Sequence, residues 1–267
     1  MRIICVTMLD YDFMRHAFLA AGIVAVLAGF VGYFLVLRGQ AFAGHALSHV
    51  GFAGATGAVL LGVSPLAGML GVTVLGGVLM GALGEKLAER DIAIGVILTM
   101  SLGLGLLFLH FFTSYATAAT ALLFGDVLGV DLPTIYALLG LAALSLGILG
   151  LIARPLLFAS LNPELAEAKG VSLRGLGLVF LGIVGLTTAA CAQIVGVLLV
   201  FALMVGPAAT AQRLSTRLAP GLVLAAGIAL AEAWAGIALS YYTDWPASFW
   251  ISALSGGMYL LSLSRRR

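Results

Sequence analysis

Charged residues are scarce in this chain. Lys, Arg, Asp and Glu make up 9% of its 267 residues, whereas they make up about 25% of a typical soluble domain. So few charges cannot cover a water-exposed surface, which excludes an ordinary soluble protein. Hydrophobic residues make up 62% of the chain, and its mean hydropathy is +1.17. Lipid must therefore cover most of the surface, and the length admits at most about nine spans of about 20 residues.

Cysteine is rare, and several familiar motifs are missing. Cys5 and Cys191 are far apart in the chain, so we expect neither a disulfide framework nor a thiolate metal site. No run of basic residues indicates binding to nucleic acid. There is no Gly-x-x-x-x-Gly-Lys-Ser/Thr loop, so the chain cannot bind ATP by that route. Residues 1–15 mix charges and lack a small-residue cleavage signal, and we do not expect a cleaved signal peptide.

Apolar segments of membrane-spanning length follow one another along the chain. They are apolar on every face, as expected of helices embedded in lipid or in a bundle. Nine can be marked, at residues 16–37, 46–62, 66–84, 92–112, 133–153, 174–190, 193–212, 221–241 and 247–263. The seventh contains Gly206-Pro207 and is either a full span or a partial, re-entrant helix. The sequence therefore predicts an all-α integral membrane protein, a polytopic bundle of eight or nine helices in one domain over residues 1–267.

Lys and Arg occur in alternate predicted loops. The basic loops and ends carry Arg38; Lys86 and Arg90; Arg154, Lys169 and Arg174; Arg213 and Arg217; and Arg265 to Arg267. The intervening loops have neither residue, at about 63–65, 113–132, 191–192 and 242–246. The positive-inside rule makes the basic loops cytoplasmic. Nine spans then place the N-terminus outside and the C-terminus inside.

A polar segment at residues 154–174 lies on the predicted cytoplasmic side. Asn162 suits an N-cap and Pro163 the first helical turn. Glu164 suits the positive end of a helix and Gly170 the C-cap. We expect an amphipathic helix at about 163–169, with Leu165 and Ala168 at its less polar positions. This helix is either an interfacial connector or the element that docks a cytoplasmic partner.

Two of the four histidines, His45 and His49, lie within five residues of each other. The i, i+4 spacing places both imidazoles on one face of a helix, close enough to hold one ion. A polar pair at membrane depth is costly unless it has a function. The pair therefore suggests a metal ion held in, or crossing, a membrane, although hydrogen bonds between helices would also explain it.

Three further residues are candidates for a cation path. Glu232 is a lone carboxylate in the middle of the eighth segment, where it is either functional or paired with another helix. Asp126, in the outer loop 113–132, either guides cations inward or caps a local turn. His110 ends the fourth segment beside two phenylalanines, a position more typical of an interfacial histidine than of a ligand.

Six motifs, in order along nearly the whole chain, are similar to those of one protein family. They resemble the transmembrane permease subunit of bacterial ABC importers for zinc, manganese or iron. The motifs are Phe34–Arg38 followed by Gly44–His49, the helix start at Asp91–Gly95, the loop Leu123–Leu128, the coupling segment Asn162–Gly170, the pore segment Gln193–Val200 with Gly206–Ala211, and the outer loop Ser240–Pro246.

The resemblance implies a complete transport machine in the bacterial cytoplasmic (inner) membrane. Two copies of this permease would form a homodimeric pore with a type II ABC importer-like fold. Two cytoplasmic ATP-binding subunits would hydrolyse ATP, and an external metal-binding protein would deliver the ion. No permanently bound cofactor is implied. The residues that would couple the ATP-binding subunits are Asn162, Pro163, Glu164, Leu165, Ala168 and Gly170.

His45 departs from the family pattern, which usually has Asp at this position. Imidazole suits zinc, copper, iron and nickel, whereas carboxylate-rich sites favour manganese and magnesium. The substitution therefore favours zinc as the transported metal. In a homodimer four imidazoles would converge, and zinc prefers such a tetrahedral set. There are two alternatives. The same machinery could carry manganese or iron, or the chain could be a related permease for a chelated nutrient such as a siderophore.

Two other classes of protein fit the sequence less well. Membrane di-iron hydroxylases use many histidines, and this chain has four in all, with one His-x-x-x-His pair and no His-Glu-x-x-His or Gly-x-Ser-x-Gly motif. A self-contained secondary transporter should show internal repeats and several buried carboxylates. We find no clear repeat, and only Glu232 lies well inside a span. We therefore expect a transport subunit and not an enzyme.

Overall fold

The computed structural model describes Met8 and residues 11–83, 87–112 and 122–264. Within these residues the chain is helical, with one further helical turn at residues 122–124. The ten helices are α1 (Asp12–Leu37), α2 (Ala41–Leu60), α3 (Pro65–Leu83), α4 (Leu87–His110), α5 (Leu132–Leu161), α6 (Pro163–Ala168), α7 (Leu173–Val195), α8 (Val200–Leu214), α9 (Leu218–Thr243) and α10 (Ala247–Ser264).

The predicted all-α fold is confirmed, and each predicted span corresponds to one helix. In the described part of the chain six helices, α1, α3, α4, α5, α7 and α9, are long and apolar enough to cross a membrane. The other three predicted spans correspond to α2, which carries the two histidines, to the short helix α8, and to α10. The predicted helix at 163–169 is also present, as α6, and it ends within one residue of the expected position.

Helix α8 is short for a membrane span. Its 15 residues rise about 22 Å at 1.5 Å per residue, whereas the hydrocarbon core is about 30 Å thick. This length favours the partial helix over the full span. The predicted loop at 191–192 is wrong, because α7 continues to Val195 and the chain turns at 196–199. The helix ends at Gly196, whose φ of 81° is left-handed and suits glycine.

Two other predicted boundaries are corrected by the structure. The fifth span was expected to end at residue 153, but α5 continues through Pro155 to Leu161. Its additional turns carry the chain to Asn162, where α6 begins at once. Helix α4 begins at Leu87, so the expected helix start at Asp91–Gly95 lies inside that helix.

Helix α1 is the centre of the bundle and packs against α5, α7, α8 and α9. Small residues make this packing close. Gly29 lies against the backbone of Ala226 on α9, and Gly32 lies against the carbonyl of Met204 on α8. Any larger side chain at either glycine would push these helices apart. The tight contact with α8 holds this short helix at a fixed position beside α2.

Helix α2 is enclosed by protein along most of its length. It packs against α3 and α4 on two sides and contacts α7 and α8 on others. Its small residues face the interior, and Gly54 lies against the carbonyl of Gly68 on α3. The residues on one remaining face, including both histidines, are only partly buried. The fold thus presents the imidazole pair at the surface of a single chain.

Candidate metal site

The side chains of His45 and His49 lie together on α2, as their spacing predicts. Their ring centroids are 4.9 Å apart and the rings are nearly perpendicular, at 87°. Both side chains are partly buried. Nδ1 of His49 is buried and has no hydrogen-bond partner among the described residues. Since this nitrogen is unpaired, its hydrogen-bonding or ligating capacity is unused within the described residues.

Aromatic side chains lie beside the two imidazoles. The ring of Phe201, near the start of α8, lies 5.4 Å from that of His45. Phe42 is on the same face of α2, one turn before His45, and is 42% exposed, while Phe201 is 39% exposed. Ser48 faces the interior, where its hydroxyl donates to the carbonyl of His45 at 2.7 Å. Ser48 therefore does not join the pair.

One chain supplies an incomplete set of metal ligands. In the described part of the chain, no group of three or more His, Cys, Asp or Glu side chains is close enough to hold a metal ion. His45 and His49 are thus a candidate two-nitrogen site, with no third His, Cys, Asp or Glu side chain grouped with them among the described residues. Zinc in proteins almost always has four ligands, or three and a water. Further ligands must come from water or from another molecule.

Asp126 caps a turn in the outer loop, because its Oδ1 accepts from the N–H of Gly129 at 2.9 Å. Its side chain is exposed. It also lines a cavity of about 630 Å³ whose wall includes Asp244, Tyr241, Trp245 and Ile251. The structure shows the capping role, and a role in guiding cations stays a prediction. Residues 113–121 of this predicted loop lie outside the described residues.

Asp131 closes the same loop and caps α5. Its Oδ1 accepts from the N–H of Thr134 at 3.1 Å. Hydrogen bonds from the side chain and then the backbone of Thr134 lower the pKa of the Asp131 carboxyl below its usual value. The carboxylate therefore stabilises the start of α5. This residue is fully exposed to solvent, and its role is in the fold.

Glu232 is buried in the middle of α9, with 2% of its surface exposed. Both carboxyl oxygens lack a hydrogen-bond partner within the part of the chain that the structure describes. The hydroxyl of Ser255 on α10 faces it but donates to the carbonyl of Ala202 on α8, at 3.0 Å. Glu232 is therefore on a helix that packs against α8, and α8 in turn contacts α2. It does not join the imidazole pair, and a role in the ion path stays a prediction.

His110 is the last residue of α4 and its side chain is exposed. Its ring contacts the ring of Phe111, with centroids 5.6 Å apart. An interfacial role for His110 stays a prediction. Nothing in the described structure brings His110 to the other histidines of the candidate site.

Helix α6 is held firmly while its outer side stays exposed. The N–H of Val171 donates to the carbonyl of Ala166 at 3.0 Å, and Ala166 is fully buried. Gly170 is left-handed, with φ 83°, and ends the helix as expected. Asn162 precedes the helix, but its side chain makes no capping hydrogen bond, so that part of the prediction is wrong. The other proposed coupling residues are exposed, namely Pro163, Glu164, Leu165 and Ala168.

Sequence reasoning missed the contacts of two residues, Phe201 beside His45 and Arg38 before the helix that carries the histidines. Phe201 reaches His45 only because the chain turns at 196–199 and starts α8 beside α2. Arg38 was used to orient the protein in the membrane and as the end of the motif Phe34–Arg38, but no contact was predicted for it. Its guanidinium lies over the ring of Phe180, 5.6 Å from the centroid. An arginine directly before the helix with the histidines was the available signal.

The fold and the site define a class of protein. It is a polytopic membrane bundle with a polar pair on an inner helix and a short exposed helix on its predicted cytoplasmic side, without an ATP-binding loop. Such features define the membrane-spanning subunit of a transporter. Residues 10–266 match the ABC 3 transport family, and the chain belongs to this family.

Individual relatives agree with this assignment. The chain is 32% identical to the manganese transport system membrane protein MntC of Halalkalibacterium halodurans, over 89% of this chain and 82% of the relative. It is 27% identical to the manganese import system permease protein ScaB of Streptococcus gordonii, over 95% and 91%. Among solved structures, PsaBC from Streptococcus pneumoniae in complex with Fab matches with a TM-score of 0.85 at 25% identity, covering 96% of this chain and 92% of that chain.

Membership of this family decides between the classes left open by the sequence. The chain is a multi-pass permease subunit of an ABC transporter in the bacterial cytoplasmic membrane, and it is not an enzyme. ATP hydrolysis is carried by a separate subunit in such systems. The expected fold class, with a short helix between the fifth and sixth spans, is confirmed.

Proposed function

We propose that this chain is the membrane-spanning permease of an ABC importer that moves a divalent transition metal into the cytoplasm. The observation that carries the proposal is the paired imidazoles of His45 and His49, whose ring centroids lie 4.9 Å apart on a membrane helix. The printed names of the relatives, which specify manganese transport and import, support the same class of cargo.

The spacing of the two rings suits one shared ion. A zinc–nitrogen bond is about 2.0–2.1 Å, so two imidazoles bound at a tetrahedral angle have centroids about 5 Å apart. The observed 4.9 Å is close to this value. Weak, incomplete coordination by one chain suits an ion that must also be released.

A second copy of the chain completes the site in this proposal. Both imidazoles are partly exposed, and they share their surface with the exposed rings of Phe42 and Phe201. Polar imidazoles facing lipid would be costly. A two-fold axis beside this face would cover the aromatic rings and bring four imidazoles to one point. The pore would then lie between the two copies.

The nature of the donors makes zinc the favoured cargo. Four neutral imidazoles are a ligand set that zinc accepts readily, whereas manganese prefers carboxylate oxygens. The relatives named above are manganese systems, so manganese is the second candidate. The substitution of His45 for the family's usual Asp is the specific feature that favours zinc for this chain. Iron also accepts imidazole ligands and stays an alternative, whereas a chelated nutrient such as a siderophore fits the imidazole pair less well.

Two kinds of partner follow from the proposal. Cytoplasmic ATP-binding subunits would dock on α6, where Glu164, Leu165 and Ala168 are exposed on a helix that is firmly held. An external metal-binding protein would deliver the ion to the outer side, where Asp126 and Asp244 line one cavity. Two like carboxylates beside this opening attract cations.

Metal uptake by cells or proteoliposomes tests the proposal. The double variant His45→Ala, His49→Ala should insert into the membrane normally and lose zinc uptake by at least about tenfold, because both candidate ligands are gone. The matched control is His110→Ala, which removes an exposed imidazole outside the pair. Normal metal accumulation in the double variant would refute the ion path, and wild-type preference for manganese over zinc would refute the assigned cargo.

A further inference from the structure

Arg38 connects the ends of three helices on the predicted cytoplasmic side. It lies in the turn between α1 and α2, and its Nη1 donates to the hydroxyl of Ser160 in the last turn of α5, at 3.3 Å. Its guanidinium also lies over the ring of Phe180 on α7, 5.6 Å from the centroid. The Ser160 hydroxyl is itself fixed, because it donates to the carbonyl of Leu156. One side chain therefore joins the α1–α2 turn to both helices that flank α6.

The α5 side of this contact moves with α6. Only Asn162 separates α5 from α6, and its N–H and carbonyl bond to Phe158 and Ala166 respectively, each at 3.0 Å. Lys169, directly after α6, lies over the ring of Phe158 at 5.9 Å. These contacts bind α6 to the last turn of α5. A displacement of α6 therefore carries Ser160 with it.

The other side of the contact leads to the imidazole pair. Helix α2 begins three residues after Arg38, and His45 lies in its second turn. The connecting turn is well held, since the N–H of Gln40 donates to the carbonyl of Leu35 at 2.9 Å. Gly44 packs directly against the side chain of Leu35. A movement of Arg38 must therefore move the start of α2, and with it His45.

From these contacts we infer that Arg38 is a positioning residue that transmits the movement of α6 to His45 and His49. The inference rests on the proposed function, in which ATP-binding subunits act on α6 and the imidazoles hold the metal. Arginine suits the task because its guanidinium lies over the ring of Phe180 and still donates to Ser160. Lysine keeps the charge but lacks both the planar group and the fixed arrangement of N–H donors of a guanidinium.

The test measures the coupling of transport to ATP hydrolysis. The complete transporter, in proteoliposomes, is supplied with ATP and radioactive zinc, and the zinc carried per ATP hydrolysed is recorded for Arg38→Lys and Ser160→Ala. Both variants should assemble and hydrolyse ATP within about twofold of wild type, while zinc carried per ATP falls by about fivefold. The matched control is Arg174→Ala, an exposed arginine at the start of α7, which should keep the wild-type ratio.

A double variant separates transmission from a merely structural role. If Arg38 acts through Ser160, then Arg38→Lys with Ser160→Ala should lower the ratio no further than Arg38→Lys alone. An unchanged ratio in both single variants, or losses that multiply in the double variant, would overturn the inference. Failure of the proposed function looks different, because the wild-type transporter would then carry neither zinc nor manganese under ATP.

Discussion

Gly125 and Gly196 lie with their backbones directly against each other. Both are left-handed, with φ of 78° and 81°. A Cβ on Gly125 would collide with the carbonyl of Ile194, and one on Gly196 would collide with the backbone of Phe124. Hydrogen bonds continue the contact, since the N–H of Val197 donates to the carbonyl of Leu122 at 3.3 Å. The outer loop is thereby fixed to the turn that starts α8.

Substituting either glycine should destabilise the protein. Gly196→Ala and Gly125→Ala each impose a left-handed backbone on alanine and a clash with backbone atoms, which costs about 1–3 kcal/mol. We expect a lower melting temperature in detergent, followed by tryptophan fluorescence or a thermal-shift dye. Gly140→Ala, in an exposed and open position on α5, is the control and should change it little. A melting temperature in Gly196→Ala equal to that of the control would contradict the described contact.

Replacing one imidazole of the candidate pair by a carboxylate should change the cargo. In His45→Asp one imidazole becomes a carboxylate, which manganese prefers. The ratio of manganese to zinc uptake should rise by on the order of tenfold, equivalent to about 1.4 kcal/mol of differential binding. Competition between the two radioactive metals measures this ratio. A ratio that stays at the wild-type value would mean that residue 45 does not contact the ion.

Charge reversal on α6 should release the ATP-binding subunits. Glu164→Arg with Leu165→Asp changes two exposed residues without touching the buried Ala166, so the helix should still form. The amount of ATP-binding subunit that co-purifies with the permease should fall severalfold, since rim charges and an apolar contact are both lost. Asp12→Arg, at the other end of the bundle, is the control. Co-purification at wild-type levels in the α6 variant would refute docking at this helix.

Asp131 makes the start of α5 sensitive to acid. The folded protein has a pKa for this carboxyl below its ordinary value of 3.8, because Thr134 donates hydrogen bonds to the charged form. The stabilisation is therefore present above the ordinary pKa and is lost as the pH falls through the lowered one. Asp131→Ala should melt at a lower temperature than wild type at pH 7, and the difference should shrink below pH of about 4. A difference that persists unchanged at pH 3 would exclude the carboxylate as its cause.

Local signals predicted some elements almost to the residue, and contacts between distant residues decided the others. The end of α6 was predictable because Gly170 alone specifies the left-handed residue that stops it. The end of α7 was not, because Gly196 faces Gly125 from a distant part of the chain. The histidine pair was predictable since its members are one turn apart on one helix. The contact of His45 with Phe201 depends on how α8 packs beside α2, which no local pattern encodes.

The short length of α8 also bears on how the chain enters the membrane during synthesis. A segment of 15 residues that contains Gly206-Pro207 and ends beside Arg213 is a poor substrate for insertion as an independent span. Helix α7, whose 23 residues are long and apolar enough in sequence to cross a membrane, is a good one. The turn at 196–199 is short enough for the two to enter together as a hairpin. Insertion of α8, which carries Phe201 beside His45, thus depends on α7. Truncation after residue 195 should leave α7 able to insert by itself.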